Sequence, residues 1–530
     1  MPTALSSTEP APGSARRPGV GDVLRGWRTE TRRAVGDVGP LLRFRSSGVR
    51  GRSRTTLILA LAFLLAFTVI ACWLPAYLPE GDERRSDVLL LLPSAYIGVL
   101  VISMISAAAS GGGRELLPRD QGVAYPVSPT TDHLGALLMA PLNIAWIVQS
   151  WTLLGASAYV VGPRWTLPLA LLPVFLWLFA ATAIAQALAW FVEWVRRGAF
   201  GVLTVRLLTI FMGLVLAILI VTDELVPLLD ESPTLTVALG LLYGSEAQML
   251  PWLRVVLGIA AVGLVGVVVG ALTAGAVVRR PPRDELREET SSRPPRANPA
   301  SDLVALLRTD RAAIWRSVPL RRGLAVLAVL PGLVALAGGL DWVMLSILPG
   351  LVASGGALLF GVNSWCLDGR GALWRDSLPV NPRLAFTSRV IVLTEVLLVV
   401  TALTLVMGAL RAGPPTTSRV VAVVTCAVVV TLQVVATSLR WSVRSPFSVD
   451  MRSARATPAP PVVMVGYSAR LALSTTLTGM VFGGATFAPW QWSVMIAIPF
   501  LLFSSYKLVG TAGAWALPEV RSRVVAVVAS

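Results

Sequence analysis

Two stretches of the chain repeat one polar spacing. Arg114-Glu115 precedes Arg119-Asp120 and then Pro126-Val-Ser-Pro129, and Arg370 precedes Arg375-Asp376 and then Pro379-Val-Asn-Pro382. The R-x4-R-D spacing is identical, and the first copy alone carries Tyr125 in the extra residues before its first proline. A guanidinium beside a carboxylate makes strong charge-assisted contacts to a partner surface. Prolines fix φ and remove donors, so P-V-x-P ends a helix and turns the chain, leaving the Arg-Asp pair facing the aqueous phase. Two readings stay open: a docking surface for a soluble protein, or a solvated turn duplicated by fusion.

The remaining reactive side chains do not assemble into catalysis. His133 is the one histidine, too few for a zinc site, and reads as a polar helix start. Cys72, Cys366 and Cys426 are too few and scattered for a disulfide framework or a metal set. Lys507 is the sole lysine and lies in no G-x-x-x-x-G-K-[ST], so the chain holds no phosphate-binding loop of its own. No carboxylate pair lies near a nucleophile.

The elements that must position these residues follow from composition. Of 530 residues 55% are apolar and 14% charged, with mean hydropathy +0.71. The apolar residues gather in runs of about twenty, the length that crosses a bilayer as a helix. These runs predict spans near 55–78, 88–110, 134–158, 166–192, 202–222 and 253–278, then 323–340, 344–366, 388–410, 419–439, 471–488 and 490–510. The expected fold is an all-α polytopic membrane protein with about twelve transmembrane helices in two parallel six-helix halves.

Arginine distribution sets the expected orientation. Residues 1–54 and 279–322 hold eleven Arg each, whereas 223–252 holds Asp223, Glu224, Asp230, Glu231 and Glu246 and no basic residue. Basic residues are retained on the cytoplasmic side. The expectation is therefore a cytoplasmic tail at 1–54, with Gly26 to Phe44 either an interfacial helix or solvated; a first half at 55–278; a cytoplasmic linker at 279–322; a second half at 323–510; and a cytoplasmic tail at 511–530. Both repeated loops then share the cytoplasmic face of a cell membrane. The net charge of +16 flanks spans instead of forming an aromatic-laced stripe, which points to anionic lipid and away from nucleic acid.

Ionisable residues inside spans are costly, so they are functional or paired. Glu395 sits about seven residues into its run, roughly 10 Å deep. With Asn143 and Gln149 it is a candidate for a translocation path, a structural pair being the alternative.

The motif "YPVSP" at Tyr125 to Pro129, its counterpart "LPVNP" at Leu378 to Pro382, the six-span layout after a basic N-terminal segment and the interrupted apolar stretch 223–252 resemble the permease subunits of ABC-2 type exporters. The resemblance covers both halves, as if two permeases were fused. It implies a separate ATPase in two copies, docked on the two loops through Arg114, Glu115, Arg119, Asp120, Tyr125, Pro126 and Pro129 and through Arg370, Arg375, Asp376, Pro379 and Pro382. It also implies an exported substrate, and ATP and Mg in the partner with no cofactor in this chain. The rival reading is an ion-coupled secondary transporter, which needs carboxylates near the midplane. A membrane enzyme built on 223–252 is third.

Overall fold

The computed structural model describes residues 32–37, 39, 40, 62, 65, 66, 68–78, 82–110, 127–140, 144–280, 299, 301–449 and 458–530. All regular structure among them is helical. Lipid leaves backbone N–H and C=O groups no partner but one another, so the apolar runs close their hydrogen bonds within themselves.

Before the linker come α1 (Asp82–Ser110), α2 (Pro129–Met139), α3 (Ile144–Val161), α4 (Leu167–Arg196), α5 (Gly201–Val221), the short α6 (Leu225–Asp230) and α7 (Leu235–Ser245), and α8 (Met249–Val278). After it come α9 (Asp302–Arg316), α10 (Val318–Ala337), α11 (Trp342–Leu345), α12 (Leu348–Leu359), α13 (Gly371–Ser377), α14 (Pro382–Ala409), α15 (Thr417–Arg444), α16 (Pro461–Ala485), α17 (Trp490–Ala516) and α18 (Pro518–Ala529). Among the described residues, 9 stretches are long and apolar enough to cross a membrane. The chain is a multi-pass, all-α membrane protein.

Several expected boundaries move. Within the run 134–158 the structure gives α2, ending at Met139, and α3, from Ile144, with 141–143 outside the described residues. The run 344–366 is composite. Phe360 leaves helical geometry at φ −155, and a 3-10 turn, Gly361–Leu367, follows with Asn363 at φ −139, ψ 56. Asn363 holds this bend by donating from Nδ2 to the Phe447 and Pro458 carbonyls, 2.8 Å each. The expected tail 511–530 carries α18, which buries Val524, Val525 and Val528.

The P-V-x-P motif begins helices. Ser128 caps α2, accepting from the Thr131 N–H at 3.1 Å, and Asn381 caps α14, accepting from the Arg383 N–H at 2.9 Å. Pro129 and Pro382 each fill the first helical turn, where a missing donor costs nothing. The polar residue between the prolines is thus the cap in both copies.

Burial divides at the linker. One core draws on residues from Ala76 to Ile259, another on residues from Ile314 to Val528. In the first, α8 lies along α4 because small residues line the seam. A Cβ on Gly266 would stand 3.1 Å from the Ala183 Cβ, and one on Gly270 2.2 Å from the His133 ring. His133 is fully buried there, its Nδ1 accepting from Trp190 Nε1 at 3.2 Å. In the second core α15 is central, packed by α16 and α17. Helices α10 and α14 run parallel, Thr404 donating to the Ala328 carbonyl at 3.0 Å and Gly332 facing Met407.

Contacts between helix ends tie neighbouring helices together. At the linker end Arg197 donates to the Val277 carbonyl (3.1 Å), Arg280 to the Trp194 carbonyl (2.7 Å) and Arg523 to the Val443 carbonyl (3.3 Å). At the opposite end Arg411 pairs with Asp223 at 2.6 Å, and Ser94 donates to Asp230 at 3.1 Å.

Two outcomes are expected. Gly266→Leu forces α4 and α8 apart and lowers stability by about 1–3 kcal/mol, read as a thermal shift of the purified protein beside Gly275→Leu, where a Cβ meets nothing within 4 Å. In a cysteine-free background, an impermeant thiol reagent on intact cells labels Glu231→Cys and leaves Ser377→Cys untouched until the membrane is opened; the reverse pattern inverts the expected orientation.

Candidate functional site

The densest polar chemistry among the described residues lies at the linker end of the second core. Ser301 caps α9, accepting from the Val304 N–H at 3.3 Å. Helical spacing then puts Leu306, Asp310 and Ile314 on one buried face. That face is apolar except for a carboxylate 1% exposed. Such a group must be paired.

Its partners come from two further elements. Arg375 of α13 grips Asp310 with both terminal nitrogens, at 2.6 and 3.2 Å, and Ser388 of α14 donates to it at 2.6 Å. Arg389 approaches at 3.3 Å and is itself held by Asp368 at 2.7 and 2.8 Å. Asp368 also receives Arg375 at 3.1 Å. Two acids and two bases sum to zero, as burial demands. Burial alone would raise the Asp310 carboxyl, but Arg389, Arg375 and the Ser388 hydrogen bond outweigh it and hold the group below the ordinary carboxylate range.

This network is anchored on both flanks. The Arg389 guanidinium lies 5.1 Å from the Trp365 ring, which stacks on Trp515 of α17 at 3.7 Å and 3°. Asp376 of α13 binds Arg521 of α18 at 2.6 Å. On α9, Arg311 pairs with Glu395 of α14 at 2.7 Å.

Two open cavities flank α13. One of ≈ 210 Å³ is walled by Trp365, Trp515, Arg521 and Val524; the other, ≈ 550 Å³, lies between α9 and the segment 367–380 and is lined by Arg308, Arg316, Trp374 and Leu378. Trp374 at the second is 68% exposed, with Leu373 (59%) beside it on α13 and Trp315 (64%) on α9.

The residues singled out from sequence fall into three groups. Arg114, Glu115, Arg119, Asp120, Tyr125, Pro126 and Asn143 lie outside the described residues. Pro129 and Pro382 are helix starts, Arg370 is the exposed residue preceding α13, Pro379 is exposed, and Gln149 is half-buried on α3. Arg375, Asp376 and Glu395 need correction.

Arg375 does not face the aqueous phase. It is 12% exposed and committed to Asp310 and Asp368, because the buried face of α9 carries a carboxylate that needs it. Asp376 is spent on Arg521. Glu395 lies midway along α14, 13 residues after Pro382 and 14 before Ala409, and is paired with Arg311 of α9 at 2.7 Å, as the structural-pair alternative has it.

Sequence reasoning passed over Asp310, Asp368, Arg389 and the Trp365–Trp515 stack. The signal for Arg389 was present, a cation two residues into an expected span, which requires a counter-charge.

Removing the Asp310 carboxylate strands two buried guanidiniums. Asp310→Ala is expected to cost about 3–5 kcal/mol, against about 0–1 kcal/mol for Asp376→Ala at the partly exposed pair, both read from thermal unfolding of the purified protein. Because the folded pKa lies below the ordinary 3.8, the stability Asp310 supplies is present above that value and lost only as pH falls through the lowered one. Melting temperature differences between wild type and Asp310→Asn should therefore hold from pH 7 to about 4 and shrink below it. A difference that vanished by pH 6 would show the carboxylate to be weakly held. No family model matches the chain, and no curated protein or solved structure is similar to it.

Proposed function

We propose that this chain is the membrane-spanning permease of an ATP-driven ABC-type exporter, forming the translocation path from two parallel six-span halves and docking a separate ATPase at the linker end. The observation that carries the reading is the ≈ 550 Å³ groove between α9 and α13, lined by the exposed Trp374, with Leu373 of α13 and Trp315 of α9 also exposed on the two helices that form it. Aromatic side chains at the mouth of a pocket are what a protein partner uses as anchors. The contact would be made by these residues, since Arg375 and Asp376 are occupied within the chain.

A docking site must also transmit force, and the buried network supplies the route. A displacement of α13 acts through Arg375 on Asp310, hence on α9 and the α10 span that follows it, and through Asp376 on Arg521, hence on α18 and α17. The second docking site of such an exporter would be the loop 111–126 of the first half. The energy source follows from chemistry this chain lacks in sequence: it has no phosphate-binding loop, so ATP and Mg belong to the partner, expected in two copies. An ion-coupled carrier fits less well, because Glu395, its candidate ion-site carboxylate, is already paired with Arg311.

The test uses the full chain in its own membrane. A photo-crosslinking residue at Trp374 should trap a protein that hydrolyses ATP, and Trp374→Ala with Leu373→Ser should reduce co-purified ATPase activity at least about tenfold while thermal stability stays within about 0.5 kcal/mol. Unchanged ATPase recovery with the double variant, at equal membrane expression, would refute docking at this groove.

A further inference from the structure

The short helices α6 and α7 form a hairpin that dips into the first core from the end opposite the linker, and contacts fix its course. Helix α4 ends beside Arg197 at the linker end, so its start marks the opposite end. There Thr166 donates to the Ser245 carbonyl at 2.8 Å, and a Cβ on Gly244 would stand 2.8 Å from the Ala170 backbone. Further along α4, a Cβ on Gly240 would stand 3.1 Å from Pro173 and 2.7 Å from Val255 of α8. Helix α7 therefore runs antiparallel to α4, and its first residue is its deepest. Beside that deep end Thr234 donates to the Pro93 carbonyl inside α1 at 2.8 Å, and Ser94 donates to Asp230 at 3.1 Å. Helix α1 starts at the same outer end, since the Arg85 guanidinium lies 3.0 Å from where a Cβ on Gly162 would be.

Two routes give the depth of the tip. On α1 the apolar sequence begins at Val88, and Ser94 lies six residues, about 9 Å, further in. Helix α5, at 21 residues, is about 31 Å long, one hydrocarbon thickness, and α6 turns back from its end for 6 residues, again about 9 Å.

The two sides of the tip differ. Ser232 and Thr234 are buried, whereas Asp230 and Glu231 are exposed, and among the described residues no basic side chain pairs with either acid. A bare carboxylate against acyl chains is costly, and these side chains lack the long stem by which lysine or arginine carries its charge to the interface. Helix α7 meets lipid differently, exposing the apolar Leu235 and Leu239 one turn apart. Interrupted backbone at membrane depth is found where it is buried in protein or lines water. The Ser232–Thr234 side meets the first condition; the acidic side requires the second.

We infer that Asp230 and Glu231, with Ser94 of α1, line a water-filled recess that opens on the side opposite the linker and draws in cations. Carboxylates set in low-dielectric walls focus their field and raise the local concentration of positive ions. The recess stands without any transport activity. Resting on the exporter reading, it is the outer end of the translocation path in the first half and favours a substrate bearing positive charge.

The experiment places the full chain, its three cysteines replaced, in lipid nanodiscs, where both faces are reachable. Single cysteines are reacted with two impermeant methanethiosulfonates, one bearing trimethylammonium and one a sulfonate, and each rate ratio is divided by that of free cysteine. Ser94→Cys should favour the cationic reagent at least about tenfold at low salt, and Asp230→Asn with Glu231→Gln should bring the ratio back toward one. Glu231→Cys, an exposed substitution that keeps the Ser94 hydrogen bond, should also react, and Leu235→Cys at the same depth should not. Reaction of Leu235→Cys as fast as Glu231→Cys would put the whole hairpin in bulk water and overturn the proposal. So would failure of both Ser94→Cys and Glu231→Cys to react, or a ratio that survives loss of both acids. ATPase capture plays no part in these rates, so their outcome is separate from that of the cross-linking test.

Discussion

A charge buried away from water must find a counter-charge, and the linker end of the second core is organised by that requirement. Asp310 sits on the apolar face of α9, so α9 cannot dock on the bundle without bringing Arg375 and Arg389 to it. Arg389 in turn needs Asp368, which fixes the bend after Gly361–Leu367. Breaking one member of such a set leaves the others buried and uncompensated, which is why α9, α13 and α14 behave as one rigid piece. The apolar packing of α15 against α16 and α17 tolerates small adjustments; the charge set does not.

The same requirement explains what the sequence made legible. Spans announce themselves because crossing hydrocarbon takes a contiguous run of about twenty apolar residues, a local property. The caps at Ser128 and Asn381 were equally local, and the motif holding them was visible: in the second copy it both ends α13, at Ser377, and starts α14, at Pro382. Pairing was not local. Arg375 finds Asp310 at a separation of 65 residues, and Arg311 finds Glu395 at 84. The R-x4-R-D spacing therefore showed that charges were present without showing that the chain itself consumed them.

Glu395 illustrates how a distant pairing changes a functional assignment. Read along its own span it suggests a translocation path, whereas the fold brings Arg311, 84 residues away in sequence, to 2.7 Å from its carboxylate.

Rigidity within each core contrasts with the junction between them. The cores meet where α1 packs on α10, and at the end opposite the linker Arg411 reaches Asp223 at 2.6 Å and the Ile220 carbonyl at 3.3 Å, closing the end of α5. That pair is 38% and 72% exposed, so water competes for both groups and its net worth is about 0–1 kcal/mol. The buried set around Asp310 costs several times as much to disrupt. Buried charge thus ties α9, α13 and α14 together within the second core, whereas the pair that joins the two cores at the end opposite the linker is exposed to water.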